Sequence, residues 1–309
     1  MHIKMTAIHI ILALNLLFIF NAGACAAGPQ QVRRQVELPS PPDSLAGNQK
    51  IKWITEHYWD SVDMDDEAWL TDSASLEQAF ATWSWIMLRL PSGDISRPAS
   101  IMFRKASSRL DMLLRIEELA ETYFDDPNSP YRNENIWIAC LQSFLGLPDI
   151  PEEYRIRPVW QLESALKNRP GTPASDISGY LPDSETESFR LYSMSGKAVL
   201  LIFYEPGCPE CERVEKYISG SEAIGDAVNE HKLGILAVYP GKDTIMWEKH
   251  LPELPGGWTV IHSPGLYESR EYVIRATPTI YLLDRSMKVV LKDVSAEEAE
   301  QYISGNFHD

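Results

Sequence analysis

The sequence predicts a two-domain α+β protein in which an all-α domain precedes an α/β sandwich with a mixed sheet. Between residues 48 and 168, apolar residues recur at helical steps of three and four. From residue 171 onward, short aliphatic and aromatic runs alternate with helical stretches. The 309 residues of the chain are enough for two domains of ordinary size.

Residues 1–27 have the layout of a signal peptide. Lys4 precedes a mostly apolar run over residues 7–20, and small residues predominate at positions 21–27. The run is shorter than the roughly 20 residues that a membrane-spanning helix needs, and no second run of that length follows. We therefore expect an exported, periplasmic protein that is soluble or tethered to the membrane only at its start.

Cys25 allows two interpretations of this signal. It lies where a bacterial lipoprotein carries its lipid-modified cysteine, although Ala22 replaces the Leu that usually stands three positions before. A plain cleavage after Ala24 or Ala26 explains the same residues. Lipidation of Cys25 therefore stays open.

The N-terminal half consists of a linker and a helical domain. Residues 28–47 are Pro-rich and polar, which is typical of a linker, and residues 48–168 carry the helical periodicity. We expect Cys140 in the core of this domain. Trp83 and Trp85 are expected there too, with a peptide-binding groove as the alternative.

Five acidic residues between positions 60 and 67 raise the question of calcium. They lack the glycine and the distal glutamate of an EF-hand loop. We interpret them as a solvated turn that caps a helix.

A second linker at residues 168–173 leads into the C-terminal domain, residues 171–309. The predicted elements are a strand at 198–204, a helix at 209–219, a strand at 233–239, a hairpin over 279–284 and 288–292, and a helix at 296–303. Ser295 and Glu298 form a capping box for the last helix. A helical crossover makes the first two strands parallel, and the hairpin adds antiparallel strands, so the sheet is mixed.

The motif Cys208-Pro-Glu-Cys211 follows the first of these strands and begins the next helix. A thiolate is the form that attacks a disulfide, and the N-terminus of a helix stabilises it. Pro209 suits the first helical turn, where a backbone N–H is not needed. We expect Cys208 to attack a disulfide and Cys211 to resolve the mixed disulfide.

A structural disulfide and half of a zinc site are the alternatives for the same two cysteines. Zinc would need two further ligands, but the seven histidines are scattered and no second C-x-x-C or H-x-x-x-H occurs. A disulfide-stabilised secreted scaffold would have more cysteines in a shorter chain. The favoured prediction is a redox-active pair that needs no metal or other cofactor.

Residues 276–284, Ala-Thr-Pro-Thr-Ile-Tyr-Leu-Leu-Asp, place a proline at the entrance of an apolar strand. Together with the C-x-x-C, this segment resembles the thioredoxin superfamily, and residues 171–305 resemble its TlpA/ResA-like exported oxidoreductases. The resemblance implies that Pro278 is a cis-proline beside the cysteines and that the backbone of Thr277 pairs with the substrate polypeptide. Residues 57–60 and 123–134 resemble an N-terminal domain of unknown function that precedes such domains in exported bacterial proteins.

Two positions depart from the thioredoxin pattern. Gly207 replaces the tryptophan that usually precedes the first cysteine, and Ile202 replaces a buried aspartate that assists proton transfer. Cys211 must then lose its proton to another base or to solvent. Glu205 is a candidate for that base, and a solvated loop carboxylate is the other interpretation of it.

Acidic residues near the motif predict the direction of electron flow. Glu205, Glu210 and Glu212 flank the cysteines, and their field opposes the effect of the helix N-terminus on a thiolate at Cys208. A less stabilised thiolate means a less stabilised reduced form and a lower reduction potential. We expect a reductant or an isomerase rather than a strong oxidant.

The predicted function is thiol-disulfide oxidoreduction. The partners would be exported proteins with disulfides and an electron donor in the membrane or periplasm. The formal net charge of -16 argues against nucleic acid as a partner. A peroxidase would want Thr in place of Glu205. The main alternative is a non-catalytic protein whose helical domain binds a partner while the second domain serves as scaffold.

Overall fold

The structure is a computed structural model that describes residues 34–182, 184 and 188–307. The predicted export signal, with Cys25, lies outside these residues. No helix in the described ranges is both long enough and apolar enough to cross a membrane.

The N-terminal domain is all-α, as predicted. Its helices are α1 Asn48–His57, α2 Ala68–Thr71, α3 Ser73–Met87, α4 Ser96–Ala106, α5 Leu110–Phe124, α6 Glu134–Leu145 and α7 Glu152–Ala165. Trp83 and Cys140 are fully buried in one hydrophobic core with four phenylalanines. In the acidic turn, the Asp66 carboxylate accepts a hydrogen bond from the backbone N–H of Ala68, the first residue of the following short helix, at 2.9 Å. Trp85 is half-buried, with the Arg89 guanidinium 3.1 Å from its ring centre.

Seven strands of the described residues form one mixed sheet, which confirms the predicted class. The strands are β1 Ser178–Tyr180, β2 Ser188–Arg190, β3 Ala198–Phe203, β4 Leu233–Tyr239, β5 Thr259–His262, β6 Thr279–Leu283 and β7 Val289–Lys292. Their order across the sheet is β2-β1-β5-β4-β3-β6-β7. Strands β3, β4 and β5 are parallel, whereas β6 is antiparallel to both β3 and β7. At the other edge, β1 is antiparallel to β5 and to β2.

The helices of this domain cover the sheet. They are α8 Pro209–Gly220, α9 Glu222–Asn229, α10 Thr244–His250, α11 Leu266–Ser269 and α12 Ala296–Asn306. The capping box of α12 is present, because Ser295 Oγ accepts from the Glu298 N–H and Glu298 Oε2 accepts from the Ser295 N–H. This contact confirms the predicted start of the last helix.

Strand β3 lies inside the sheet and is buried on both faces. Because successive side chains point to opposite faces, Leu200 and Ile202 pack with α8 and α12, whereas Leu201 and Phe203 pack in a second cluster with Tyr272. The end of β3 is therefore held by packing from two sides. A short loop leads from this end to the redox motif, Cys208-Pro-Glu-Cys211.

Charged side chains join the two domains. Lys292, at the end of β7, is buried; its Nζ contacts Glu134 Oε1 at 2.6 Å and donates to the Ala165 carbonyl oxygen at 3.1 Å. Arg275 pairs with Asp125 at 2.6 Å and also donates to the backbone carbonyl of the same residue. These contacts connect β7 and the segment before β6 to the helical domain.

The segment predicted as a second linker is also fixed by hydrogen bonds. Asn168 is buried; its Nδ2 donates to the Glu271 carbonyl oxygen and its Oδ1 accepts from the Ser175 N–H, both at 2.7 Å. The Gly171 N–H donates to the Val289 carbonyl oxygen at 2.7 Å. The connection between the domains is thus packed against the C-terminal domain.

Candidate redox site

Four residues separate the end of β3 from Cys208, the first residue of the redox motif. In the connecting loop, Gly207 has a φ of 74°, a left-handed conformation that glycine adopts without steric cost. Cys208 occupies the N-cap position of α8, and its sulfur accepts a hydrogen bond from the Cys211 N–H at 3.3 Å. Pro209 is the first helical residue. This arrangement aims backbone N–H groups at the Cys208 sulfur, where they favour negative charge.

Thr277 and Pro278 lie beside this sulfur. The Thr277–Pro278 peptide bond is cis. The Cys208 thiol donates to the Thr277 carbonyl oxygen at 3.5 Å, and Thr277 Oγ1 is 3.9 Å from the same sulfur. The two residues are 69 positions apart in the chain and meet because β6 pairs with β3. The structure therefore brings Cys208, Cys211, Thr277 and Pro278 into one site.

The two cysteines of the motif differ in exposure. Cys208 is partly exposed, whereas Cys211 is 2% exposed and packs in the core between the sheet and α8. Burial raises the pKa of Cys211 to about 12, with a further contribution from its hydrogen bond to Cys208. Both side chains are free thiols in this structure. Cys208 is thus the sulfur that a substrate disulfide can reach.

The two glutamates proposed to tune the site have different surroundings. Glu205 is half-buried, and its carbonyl oxygen accepts from the Cys208 N–H at 3.2 Å. Glu210 is exposed and pairs with Arg213 at 2.8 Å, and this hydrogen-bonded pair lowers the pKa of Glu210. Arg213 also contacts Glu297 at 3.2 Å. The pairing partly offsets the charge of Glu210, which the motif alone did not reveal.

A buried polar cluster behind Cys211 was missed by the sequence analysis. Glu215 lies four residues after Cys211, on the same face of α8, and is buried. Its Oε1 is 4.0 Å from His250 Nε2, and neither atom has a hydrogen-bond partner in the described part of the chain. On the same side of the sheet, Trp247 Nε1 donates to the Tyr204 hydroxyl at 3.0 Å.

The environment of Glu215 is unusual for a carboxylate. Burial raises the pKa of Glu215, and the nearby His250 acts in the opposite direction. The signal in the sequence was the four-residue spacing from Cys211, which places both residues on one helical face. It was overlooked because a glutamate between apolar positions is expected to face solvent.

Comparisons with known proteins match both parts of the chain. Residues 25–168 match the family model "Domain of unknown function (DUF5106)". The thiol-disulfide oxidoreductase ResA of Halalkalibacterium halodurans is 27% identical over 114 residues, which are 37% of this chain and 63% of that protein. The chain therefore spans less than two thirds of this curated relative.

Solved structures extend the match. A crystal structure of a thioredoxin-like protein from Bacteroides caccae has a TM-score of 0.82 and 29% identity, covering 89% of this chain and 99% of that chain. The C-terminal domain of an uncharacterized protein from Bacteroides fragilis is 30% identical over 44% of this chain and 98% of its own, with a TM-score of 0.42. The chain thus carries a helical domain that matches DUF5106, followed by a thioredoxin-like domain whose relatives include a thiol-disulfide oxidoreductase.

Proposed function

We propose that this protein reduces or exchanges disulfides in exported proteins through the dithiol of Cys208 and Cys211. The observation that carries the proposal is the placement of the Cys208 sulfur. It is partly exposed, lies at the N-terminus of α8, and is 3.5 Å from the carbonyl oxygen of Thr277. A thiolate in this position is stabilised by the helix and is open to a substrate disulfide.

The reaction proceeds by two thiol-disulfide exchanges. The Cys208 thiolate attacks one sulfur of the substrate disulfide; that S–S bond breaks, and the other substrate sulfur leaves as a thiolate. Cys211, as a thiolate, then attacks the Cys208 sulfur of the mixed disulfide and releases the second substrate thiolate. Two electrons pass to the substrate, and a Cys208–Cys211 disulfide forms. An external dithiol donor must reduce that disulfide before the next cycle.

The second exchange needs a base. Burial, the largest cause of the raised pKa of Cys211, keeps its thiol protonated at neutral pH. Ile202 offers no carboxylate, but Glu215 lies one helical turn beyond Cys211 and is buried on the same side of the sheet. We assign to Glu215 the acceptance of the Cys211 proton, through one bridging water. Glu205, which precedes the motif, then has an electrostatic role, because its negative charge disfavours the thiolate of Cys208.

Insulin-disulfide reduction tests the proposal. The variant Cys208→Ser should lose turnover, and Cys211→Ser should stop after the first exchange, as a stable mixed disulfide that mass spectrometry detects. Cys140→Ala is the matched control, because it removes the third thiol of the described residues, which is buried in the core of the helical domain. Unchanged turnover in both Cys208→Ser and Cys211→Ser would refute the assignment.

Export is part of the same proposal, and it rests on the layout of residues 1–27. Mass spectrometry of the mature N-terminus, after expression in a bacterium with an outer membrane, distinguishes the two forms. A chain that begins at a lipid-modified Cys25 would be a membrane-tethered lipoprotein. A chain without lipid that begins after Ala24 or Ala26 would be a periplasmic protein. Retention of residues 1–24 would refute export.

A further inference from the structure

A cleft of about 560 Å³ lies between the helical domain and the segment that leads to the redox site. One wall comes from α5, the turn after it, and α7, including Glu121, Trp160 and Gln161. The other wall comes from residues 267–275 of the thioredoxin-like domain. The volume lies within the ~300–1,000 Å³ that is usual for binding clefts.

The cleft lies beside the segment that leads to the redox site. Arg275 lines it and is two residues before Thr277, whose carbonyl oxygen is 3.5 Å from the Cys208 sulfur. Two residues span at most about 7 Å, so the backbone of Arg275 lies within roughly that distance of the Thr277 backbone. Tyr267 lines the same cleft, and burial together with the charges of Glu205 and Cys211 raises the pKa of Tyr267. The cleft thus lies between the helical domain and the segment before Thr277, and Cys208, Thr277 and Pro278 do not line it.

Its thioredoxin-side wall offers free backbone groups. Val273 and Ile274 are half-buried and belong to no strand or helix. Among the described residues, their N–H groups donate no hydrogen bond to the backbone. Backbone groups of this kind pair readily with another extended chain.

The helical wall offers one polar atom and one large aromatic surface. Gln161 is 5% exposed; its Nε2 donates to Glu121 Oε1 at 2.9 Å, but its Oε1 is buried and lacks a hydrogen-bond partner in the described structure. Leaving such an oxygen unpaired is costly, and because the oxygen is enclosed, an N–H group of a bound molecule pairs with it only when the Gln161 side chain turns toward the cleft. Beside it, Trp160 is 44% exposed, with the Arg270 guanidinium 5.5 Å from its ring centre.

Charge further limits the occupant. Two ion pairs lie in the cleft, because Arg157 contacts Glu121 and Arg275 contacts Asp125 at 2.6 Å, while Arg270 and Asp126 add one charge of each sign. The pairs reduce the attraction for a strongly charged molecule, while Trp160 and the aliphatic Val273 and Ile274 favour apolar groups. An uncharged, extended peptide with a large apolar side chain fits these features.

We propose that the cleft binds the segment of the substrate polypeptide next to its reactive cysteine, in extended conformation, with an apolar side chain on Trp160 and a backbone N–H on Gln161 Oε1. The inference rests on the proposed function and adds to it a role for the helical domain, which selects the substrate while Cys208 carries out the exchange. Trp160 and Gln161 are therefore recognition residues.

Kinetics with two substrates test this role. The first is a disulfide-bonded peptide with apolar residues beside its cysteine, and the second is 5,5′-dithiobis(2-nitrobenzoate), which is too small to extend along the cleft. Trp160→Ala should raise KM for the peptide roughly tenfold, as expected for loss of an aromatic contact at an interface. It should leave kcat/KM for the small disulfide within about twofold. Ile156→Ala is the control, because Ile156 is 67% exposed on the same helix and does not line the cleft.

Other outcomes separate the cleft from the redox chemistry. An unchanged KM for the peptide, or an equal loss with both substrates, would overturn the proposed recognition role while leaving the redox function intact. If the unmodified protein reduces neither substrate, the proposed function fails. Binding is then measured with a peptide that carries serine in place of cysteine. Equal affinity for the unmodified protein and Trp160→Ala would overturn the cleft proposal as well.

Discussion

Replacing Glu215 by Gln removes the buried carboxylate one helical turn beyond Cys211 and keeps the volume of the side chain. Burial raises the pKa of Cys211 well above neutral pH, so its thiol must lose a proton before the second exchange. General bases contribute roughly 10²–10⁴-fold to reactions of this kind. We therefore expect Glu215→Gln to slow the second exchange by about that factor while leaving the first exchange, which uses Cys208, nearly unchanged.

Rapid acid quenching followed by mass spectrometry measures the two exchanges separately. In the unmodified protein the mixed disulfide should stay scarce, because Cys211 resolves it quickly. In Glu215→Gln it should accumulate, and its decay should become faster with rising pH, since hydroxide and solvent then remove the proton. In the unmodified protein, ionised Glu215 should speed the decay of the mixed disulfide. Because burial raises the pKa of Glu215, this ionisation occurs at a higher pH than is usual for a glutamate.

Glu212→Gln controls for the loss of one negative charge. Glu212 is on the same helix but is exposed, and its charge contributes to the raised pKa of Glu215, so its removal changes the field at the buried cluster while keeping the Glu215 carboxylate. We expect less than a threefold change in either exchange for this variant. Decay of the mixed disulfide at the unmodified rate and with the same pH profile in Glu215→Gln would refute a role for Glu215 in proton transfer.

Three further predictions concern stability and redox poise. Burial raises the pKa of Glu117 from 4.5 to about 7. The protonated Glu117 therefore makes its full contribution to the free energy of unfolding below pH 4.5, and this contribution is lost as pH rises through 7. Urea unfolding of the unmodified protein should show a pH-dependent fall in the free energy of unfolding of at most about 3 kcal/mol, and Glu117→Gln should remove that fall. Glu118→Gln, on the exposed face of the helix, should keep it. Lys292→Met leaves Glu134 and two carbonyl oxygens without their donor and should lower the free energy of unfolding by roughly 2–4 kcal/mol. The control Lys288→Met, at an exposed position, should change it little. Equal effects of the two substitutions would contradict the assigned contacts. Equilibration with glutathione should give a reduction potential closer to about -270 mV than to about -120 mV, and a value near the latter would refute the predicted reductant or isomerase.

Much of the fold was predictable because its signals are local. Strands β3 and β4 are continuous apolar runs, and Ser295 with Glu298 marks the start of α12. Strands β1, β2 and β5 were missed because three or four residues are too few to show a period of two. Their positions depend on pairing with distant strands, which a single sequence does not reveal.

The candidate site divides in the same way. Cys208 and Cys211 are recognisable from spacing, and Thr277 and Pro278 from resemblance to a family. Glu215 and the cleft needed the structure, because each depends on residues that are far apart in sequence. His250 is 35 positions from Glu215 along the chain, and the cleft combines α7 with a loop more than 100 residues later.

The position of the cleft gives the contacts between the domains a second consequence. Its two walls belong to different domains, so its width depends on the Lys292 and Arg275 contacts and on the hydrogen bonds of Asn168. If a flexible linker joined the two domains, peptide binding would have to fix their relative position, at a cost in free energy that would weaken affinity. The fixed connection removes that cost, because the walls are already in place. A loss of the Lys292 contacts should thus weaken peptide binding in protein that is still folded, although Lys292 does not line the cleft.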